Sequence, residues 1–345
     1  SPDVSVSTNL GGWINAHGVY AHTEKHDYFE QDRVLKWKPG PRGQHIELGI
    51  SEMNLFLLLG QLGLAHEHHG EMLIPIGTVY DPFVLRGLDA LIYSLYNGSR
   101  FIIAGTPAGI TLSPEGGAHQ STITPSVVLE LPGITQTEPT YAQAVDWLLS
   151  DGIGKLSDPE PMSLYLRMST RPIDQAPFTE AAARMGADNI RRNVLAGGYR
   201  LIEPGEGERL IIAASGPVMP EVLRAAELLT QEGVAATVLD ITSLDRLYRQ
   251  WRSELVVATR TSTATTGAGH IENLILRDER RAPIVTVHDA ASHSMAWMGS
   301  VFGQRVVPIG VDRFGESGSI PELYEAFGLL PDQIATAGLV ALDDG

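Results

Sequence analysis

Short, uninterrupted apolar runs recur along this chain at intervals that leave room for helices between them. Arg100-Phe101-Ile102-Ile103-Ala104-Gly105, Met162-Ser163-Leu164-Tyr165-Leu166-Arg167-Met168, Arg209-Leu210-Ile211-Ile212-Ala213-Ala214, Ala236-Thr237-Val238-Leu239-Asp240, Leu255-Val256-Val257-Ala258-Thr259 and Ile284-Val285-Thr286-Val287 each read as a strand. A strand that does not alternate polar with apolar residues is buried on both faces, which suits a parallel sheet covered by helices. Tyr141 to Leu149 has helical spacing, and so has Met219 to Glu232, with Val222, Ala225, Ala226 and Leu229 on one face. Leu55 to Leu64, polar only at Gln61, reads as a buried helix. The expected class is α/β, with two doubly wound domains and mostly parallel sheets. Gly197-Gly198 and the polar run Glu203-Pro204-Gly205-Glu206-Gly207-Glu208 interrupt the pattern. The expected division is therefore a first domain over 1–188, a linker over 189–208 and a second domain over 209–345.

Composition narrows the functional classes. Among 345 residues, 41 acidic against 25 basic side chains leave a net charge of −16. That argues against nucleic-acid binding, which needs clustered Lys and Arg. The absence of cysteine excludes a disulfide scaffold, a thiol nucleophile and a thiolate metal site. No apolar run reaches the roughly 18 residues that span a bilayer, and nothing has the form of a secretory leader. The expectation is a cytoplasmic protein without a membrane partner. His66-Glu67-His68-His69 has metal-ligand composition, but His at i and i+2 do not share a helix face, and no metal site is expected there. Gly267-Ala268-Gly269 lacks the third glycine of a dinucleotide loop, and no Gly-x-Ser-x-Gly elbow occurs.

One carboxylate stands out. Glu52 sits at the mouth of the apolar helix, directly after Gly49-Ile50-Ser51. An acid in a helix's first turn is favoured by the helix dipole, and a carboxylate at the edge of a core is also a frequent ligand-binding group. Aromatic Tyr80 and Phe83 follow the run Ile74 to Thr78, and His119 follows the glycine pair Gly116-Gly117, which lets a backbone approach a ligand closely.

These segments together carry a resemblance. Gly49-Ile50-Ser51-Glu52 resembles the G-I/V-x-E segment of the pyrimidine-binding domain of thiamine diphosphate enzymes. Asp3-Val4-Ser5-Val6-Ser7-Thr8-Asn9 resembles the A-D-L-T-x-S-N segment of transketolases. Ile74 to Phe83 resembles the strand and aromatic loop that follow. Ala104 to Thr111, continuing to Pro114-Glu115-Gly116-Gly117-Ala118-His119-Gln120-Ser121, resembles the G-x-T-x-G-x-T-x-x-x-E-G-x-x-H segment, and Asp312-Arg313-Phe314-Gly315-Glu316-Ser317-Gly318 resembles D-x-F-G-x-S. Nearly the whole chain is similar to the second and third domains of the homodimeric type of pyruvate dehydrogenase first component, within the transketolase-like superfamily.

The resemblance implies a pyrimidine-binding domain over 1–188 and a transketolase C-terminal-type domain over 209–345. It implies that Glu52 hydrogen-bonds the aminopyrimidine of the coenzyme and drives its tautomerisation. Ile50, Tyr80 and Phe83 are implied to line the pyrimidine, Asp3 to lie on the thiazolium side, and His119 to assist at the substrate oxygen or carboxylate. His288 and His293 are implied to be structural or interface residues. Thiamine diphosphate and Mg²⁺ are the implied cofactors. The family holds Mg²⁺ and the diphosphate with a G-D-G…N motif, and no Gly-Asp-Gly occurs here. The chain also opens on Ser1. The expectation is half of a split or processed enzyme, completed by a diphosphate-binding subunit or the N-terminal half of one precursor, as a dimer of such pairs (a heterotetramer). The implied reaction is decarboxylation of a 2-oxo acid such as pyruvate, with a lipoyl acyltransferase as a further partner. Gln120-Ser121 stand where the pyruvate enzymes have acidic and further histidine residues, and Val4 follows the transketolase pattern. A ketol-transferring enzyme and a non-catalytic regulatory subunit are the alternatives.

Overall fold

The computed structural model describes residues 8, 10–23, 37–263 and 267–343; Asp3 lies outside them. The first sheet has four strands, β1 (Ile76–Val79), β2 (Ile102–Gly105), β3 (Ile134–Thr137) and β4 (Ser163–Arg167), in the order β1-β2-β4-β3. All its pairings are parallel, with Ile76 opposite Ile102, Ile102 opposite Leu164 and Ile134 opposite Ser163. Helices α1 (Glu52–Gly63), α2 (Leu88–Tyr96) and α3 (Ala142–Lys155) provide cover. Every residue of β4 is buried, as an apolar strand between helical layers should be.

The second sheet has five strands. Helix α4 (Ala187–Ala196) leads into β5 (Gly198–Ile202), followed by β6 (Glu208–Ser215), α5 (Met219–Gln231), β7 (Val234–Ile241), α6 (Leu244–Thr261), β8 (Ile284–His288) and β9 (Val306–Ile309). Their order is β9-β8-β6-β7-β5, parallel except for β5, which runs antiparallel to β7. The expected α/β class with mostly parallel sheets is the one observed, beside a small two-stranded sheet of Val19–Tyr20 and Pro39–Gly40. The two sheets share one core: Tyr141 just ahead of α3, Leu148 of α3, Phe178, Tyr199 of β5, Leu210 of β6 and Val222 and Leu229 of α5 belong to a single buried cluster. Phe178 makes the joint, its ring 5.5 Å from that of Tyr141 and 5.7 Å from that of Tyr199.

Three readings differ from what is seen. Residues 189–208, read as a linker, hold most of α4 and the edge strand β5; Gly197, at φ +123°, turns the chain from one into the other. The polar stretch after Ile202 is the loop between β5 and β6. Leu255 to Thr259, read as a strand, is the last third of α6. That helix starts at Ser243, whose hydroxyl accepts from the Arg246 amide, and the cap outweighs the β preference of Val256-Val257. Val257 is 56% exposed, so the run is covered on one side only. Strands β3 and β9 are only four residues long, β3 is mostly polar and β9 carries a proline, and their pattern gave no signal. The helix read as fully buried is amphipathic: Leu55, Phe56 and Leu59 are buried, while Leu57 faces outward. Among the described residues no helix is long and apolar enough to cross a membrane.

Candidate active site

Glu52 is the first residue of α1 and is only 7% exposed. Its setting comes from the segment Asp81–Gly87, a run of 3₁₀ turns directly after β1. Gly87 lets this segment press on α1, because a Cβ there would run into the Phe56 ring and approach the Glu52 carbonyl. The contact sets Arg86 beside Glu52, with Nη1 3.5 Å from Oε1. The same guanidinium lies 3.9 Å above the centre of the Phe83 ring. Residues three apart eclipse in a 3₁₀ turn, which puts Arg86 over Phe83.

Phe83 leads to the rest of the cluster. Its ring stacks on Tyr80 at 6.0 Å and 20°. His119 stands edge-on to both, 5.2 Å from Phe83 and 6.2 Å from Tyr80. Glu115 closes the group: its Oε1 accepts from the Tyr80 hydroxyl at 3.3 Å, and its Oε2 is 3.9 Å from His119 Nε2. Nδ1 of His119 is buried and has no hydrogen-bond partner among the described residues. The fold thus joins Glu52, Tyr80, Phe83 and His119 and adds Arg86, which the sequence reading did not select, and Glu115, noted there only as part of a motif. Ile50, two residues ahead of the helix, is 76% exposed.

The histidine loop is fixed from the second domain. Gly117 packs so closely on the Gly315 carbonyl that a Cβ has no room. The Gln120 side-chain amide donates to the Glu316 carbonyl at 2.8 Å and accepts from its amide at 3.1 Å, as a strand neighbour would. Two segments nearly two hundred residues apart in sequence, 104–121 and 312–318, are therefore one clasp. His288 is fully buried, its Nε2 2.8 Å from Glu138 and its Nδ1 2.8 Å from the Ser294 hydroxyl. His293 is on the surface. In the 66–69 segment, His66 Nδ1 is 3.1 Å from the Gly63 carbonyl, an ordinary helix-end contact.

A carboxylate with one oxygen beside a cation, flat aromatic rings and an imidazole nitrogen without a partner among the described residues suit a flat, nitrogen-bearing heterocycle. Two mostly parallel sheets in tandem, with the cluster at the carboxyl end of β1, define a two-domain α/β protein. A family model described as the pyruvate dehydrogenase E1 component middle domain matches residues 1–172, and one described as the transketolase-like TK C-terminal domain matches residues 197–330. The pyruvate dehydrogenase E1 component of Mycolicibacterium smegmatis is 25% identical over 99% of this chain and 37% of its own length. The chromosomal transketolase of Cupriavidus necator is 24% identical over 88% of the chain and 39% of its own length. Among solved structures, transketolase from Leishmania mexicana superposes with a TM-score of 0.64 at 16% identity, over 88% of this chain and 38% of its own. A chain described as split gene transketolase, inactive beta4 tetramer, superposes with a TM-score of 0.62 at 20% identity, over 96% of this chain and 94% of its own. The chain belongs to the thiamine diphosphate-dependent transketolase-like superfamily. It spans 37–39% of the length of the two curated relatives above.

Proposed function

We propose that this chain is the pyrimidine-side half of a thiamine diphosphate enzyme that decarboxylates a 2-oxo acid and passes the acyl group to an acceptor such as a lipoyl arm. The observation that carries this reading is the convergence of Glu52, Arg86, Phe83, Tyr80, His119 and Glu115 at the end of β1. The cluster fits the aminopyrimidine of the coenzyme: a carboxylate for a ring nitrogen, aromatic faces for the ring and a hydrogen-bonding imidazole beside them. When bound, the coenzyme supplies a carbon nucleophile for a substrate carbonyl. Glu52 would hold the proton shared with the pyrimidine nitrogen, and Arg86 would orient the carboxylate through its second contact on Phe83. His119, held edge-on by the two rings and near Glu115, would donate to the substrate's oxygen or carboxylate.

Diphosphate and Mg²⁺ binding is assigned to a partner chain, or to a further segment of the same precursor, in a dimer of such pairs. Support comes from the share of the longer relatives that this chain spans and from the near-complete match to a split-gene transketolase chain described as an inactive tetramer. That match, together with Gln120-Ser121 after the histidine, favours ketol transfer as the second reading.

The test is calorimetric titration of thiamine diphosphate with Mg²⁺ into this chain alone and into its mixture with the candidate diphosphate-binding chain. Binding in the mixture only is expected and justifies turning 2-oxo acids against ketose phosphates. Binding in neither sample would leave a non-catalytic subunit as the better reading.

A further inference from the structure

One side chain outside the cluster touches several of the segments that hold the cluster in place. Arg167 ends β4, is 1% exposed and belongs to the first domain. Its Nε donates to Asp81 Oδ2 at 2.9 Å. Nη2 donates to the Asp289 carbonyl at 2.9 Å and lies 3.3 Å from the Ser121 hydroxyl and 3.4 Å from its carbonyl. Nη1 donates to Glu138, which His288 approaches from the second domain at 2.8 Å. The partners come from four separate segments. Asp81 lies between Tyr80 and Phe83, and Ser121 lies two residues after His119. Asp81 is held further by the Ser121 and Tyr165 hydroxyls. Asp289 accepts the Ile110 amide at 2.8 Å, at the start of the histidine loop.

We infer that Arg167 is the positioning residue for this site: its guanidinium fork ties the aromatic turn, the histidine loop and the second domain into one geometry. The inference deepens the reading of Tyr80, Phe83 and His119 as coenzyme- and substrate-facing groups and rests on it for its catalytic consequence. A plain ion pair has no use for this arrangement. One ammonium could neutralise Asp81 or Glu138, but only a planar group with five fixed donors reaches all of these acceptors from one position. A buried cation of this kind is costly unless it is paired and hydrogen-bonded, and here all three nitrogens donate.

The test reads the position of His119 without coenzyme. With carbon-labelled histidine, the His119 imidazole signal, assigned by its loss in His119→Gln, should be displaced by the ring currents of Phe83 and Tyr80. Phe83→Leu should move it, which validates the probe. In Arg167→Lys, which keeps the charge and loses the fork, the signal should move toward that of an exposed histidine while unfolding stays cooperative. Should that variant not fold, Ser121→Ala decides, since it removes one link without burying an unpaired charge. An unmoved His119 signal in a folded Arg167→Lys protein, or in Ser121→Ala where that variant decides, overturns the inference. A second measurement separates this from the functional reading: in the mixture with the diphosphate-binding chain, Arg167→Lys should weaken coenzyme affinity by about tenfold or more. Failure of the wild-type mixture to bind coenzyme would remove the functional reading and leave the His119 result intact.

Discussion

Replacing Asp240 by Asn should remove a pH dependence of stability that the wild-type chain carries. Asp240 lies on β7, fully buried where the two sheets meet. The Tyr199 hydroxyl donates to its Oδ2 at 2.7 Å, and the Thr140 hydroxyl donates to Oδ1 at 2.9 Å. Burial dominates these two hydrogen bonds and, with Glu138 nearby, pushes the acid from an ordinary 3.8 up to about 7. The folded state therefore keeps this proton over a range in which the unfolded chain has already released it. Stability from this group is present at low pH and is lost as pH rises toward about 7, after which the curve is level. At about 1.4 kcal/mol per pH unit, the whole window is worth roughly 4 kcal/mol. About 3 kcal/mol of that falls between pH 5 and pH 7.5. Asn keeps the shape of the acid, and because hydroxyls both donate and accept, Tyr199 and Thr140 can pair with an amide. Urea unfolding of wild type and D240N in half-unit steps from pH 5 to 8.5 gives a difference curve. Asp289, also pushed up by burial, to about 6, titrates in both proteins and cancels. The expected curve favours D240N increasingly up to about pH 7 and then flattens. A difference that stays constant across the range would refute the claim that this buried acid holds its proton.

Other outcomes follow from the same coordinates. Glu52→Ala should abolish turnover in the complete enzyme while leaving the urea midpoint of this chain close to wild type, because Glu52 sits at the helix start and its ion pair with the half-exposed Arg86 is weak; retained turnover would end the assignment. Gly117→Ala should cost roughly 1–3 kcal/mol and loosen the clasp with Gly315, seen as faster amide exchange over 115–121. Leu57→Glu, on the outer side of α1 where Met53 and Leu57 are one turn apart and both exposed, should leave the melting temperature unchanged. It should weaken association with the diphosphate-binding chain by roughly 2 kcal/mol, or about thirtyfold, by sedimentation or titration.

What the sequence displayed and what it concealed divide along a physical line. Runs buried on both faces, such as Leu210 to Ala214, announce themselves because nothing polar interrupts them. Val256-Val257 misled because β-branched residues carry strand preference wherever they lie, while the signal that overrides it, the cap at Ser243, stands more than ten residues upstream. Gly197-Gly198 marked a real turn, but a turn between a helix and a strand rather than a flexible joint. In the site, Glu52, Tyr80, Phe83 and His119 sit in segments with recognisable local form, and the fold brings them together. Arg86 was within reach of a local argument, three residues after Phe83, though only once the turn is known to be 3₁₀. Arg167 was not. It closes an apolar strand, and its partners at 81, 121, 138 and 289 become neighbours only when both sheets are in place.

That arrangement gives the second domain a part in the site although none of its side chains belongs to the cluster. Three of its contacts end on the site's supports: the Asp289 carboxylate on the Ile110 amide, the Glu316 backbone on Gln120, and His288 on the carboxylate that Arg167 also binds. Two rigid layers sharing one core can hold these contacts to fixed distances, which a flexible joint could not. The edge strand β5 is part of the reason, since Tyr199 reaches from it to both Phe178 and Asp240. The residues read as a linker are therefore part of what joins the two sheets. The histidine loop, rich in glycine and alanine, takes part of its order from the second domain behind it, through Gly117 on Gly315 and Gln120 on Glu316, and part from Arg167 and Asp81 of the first.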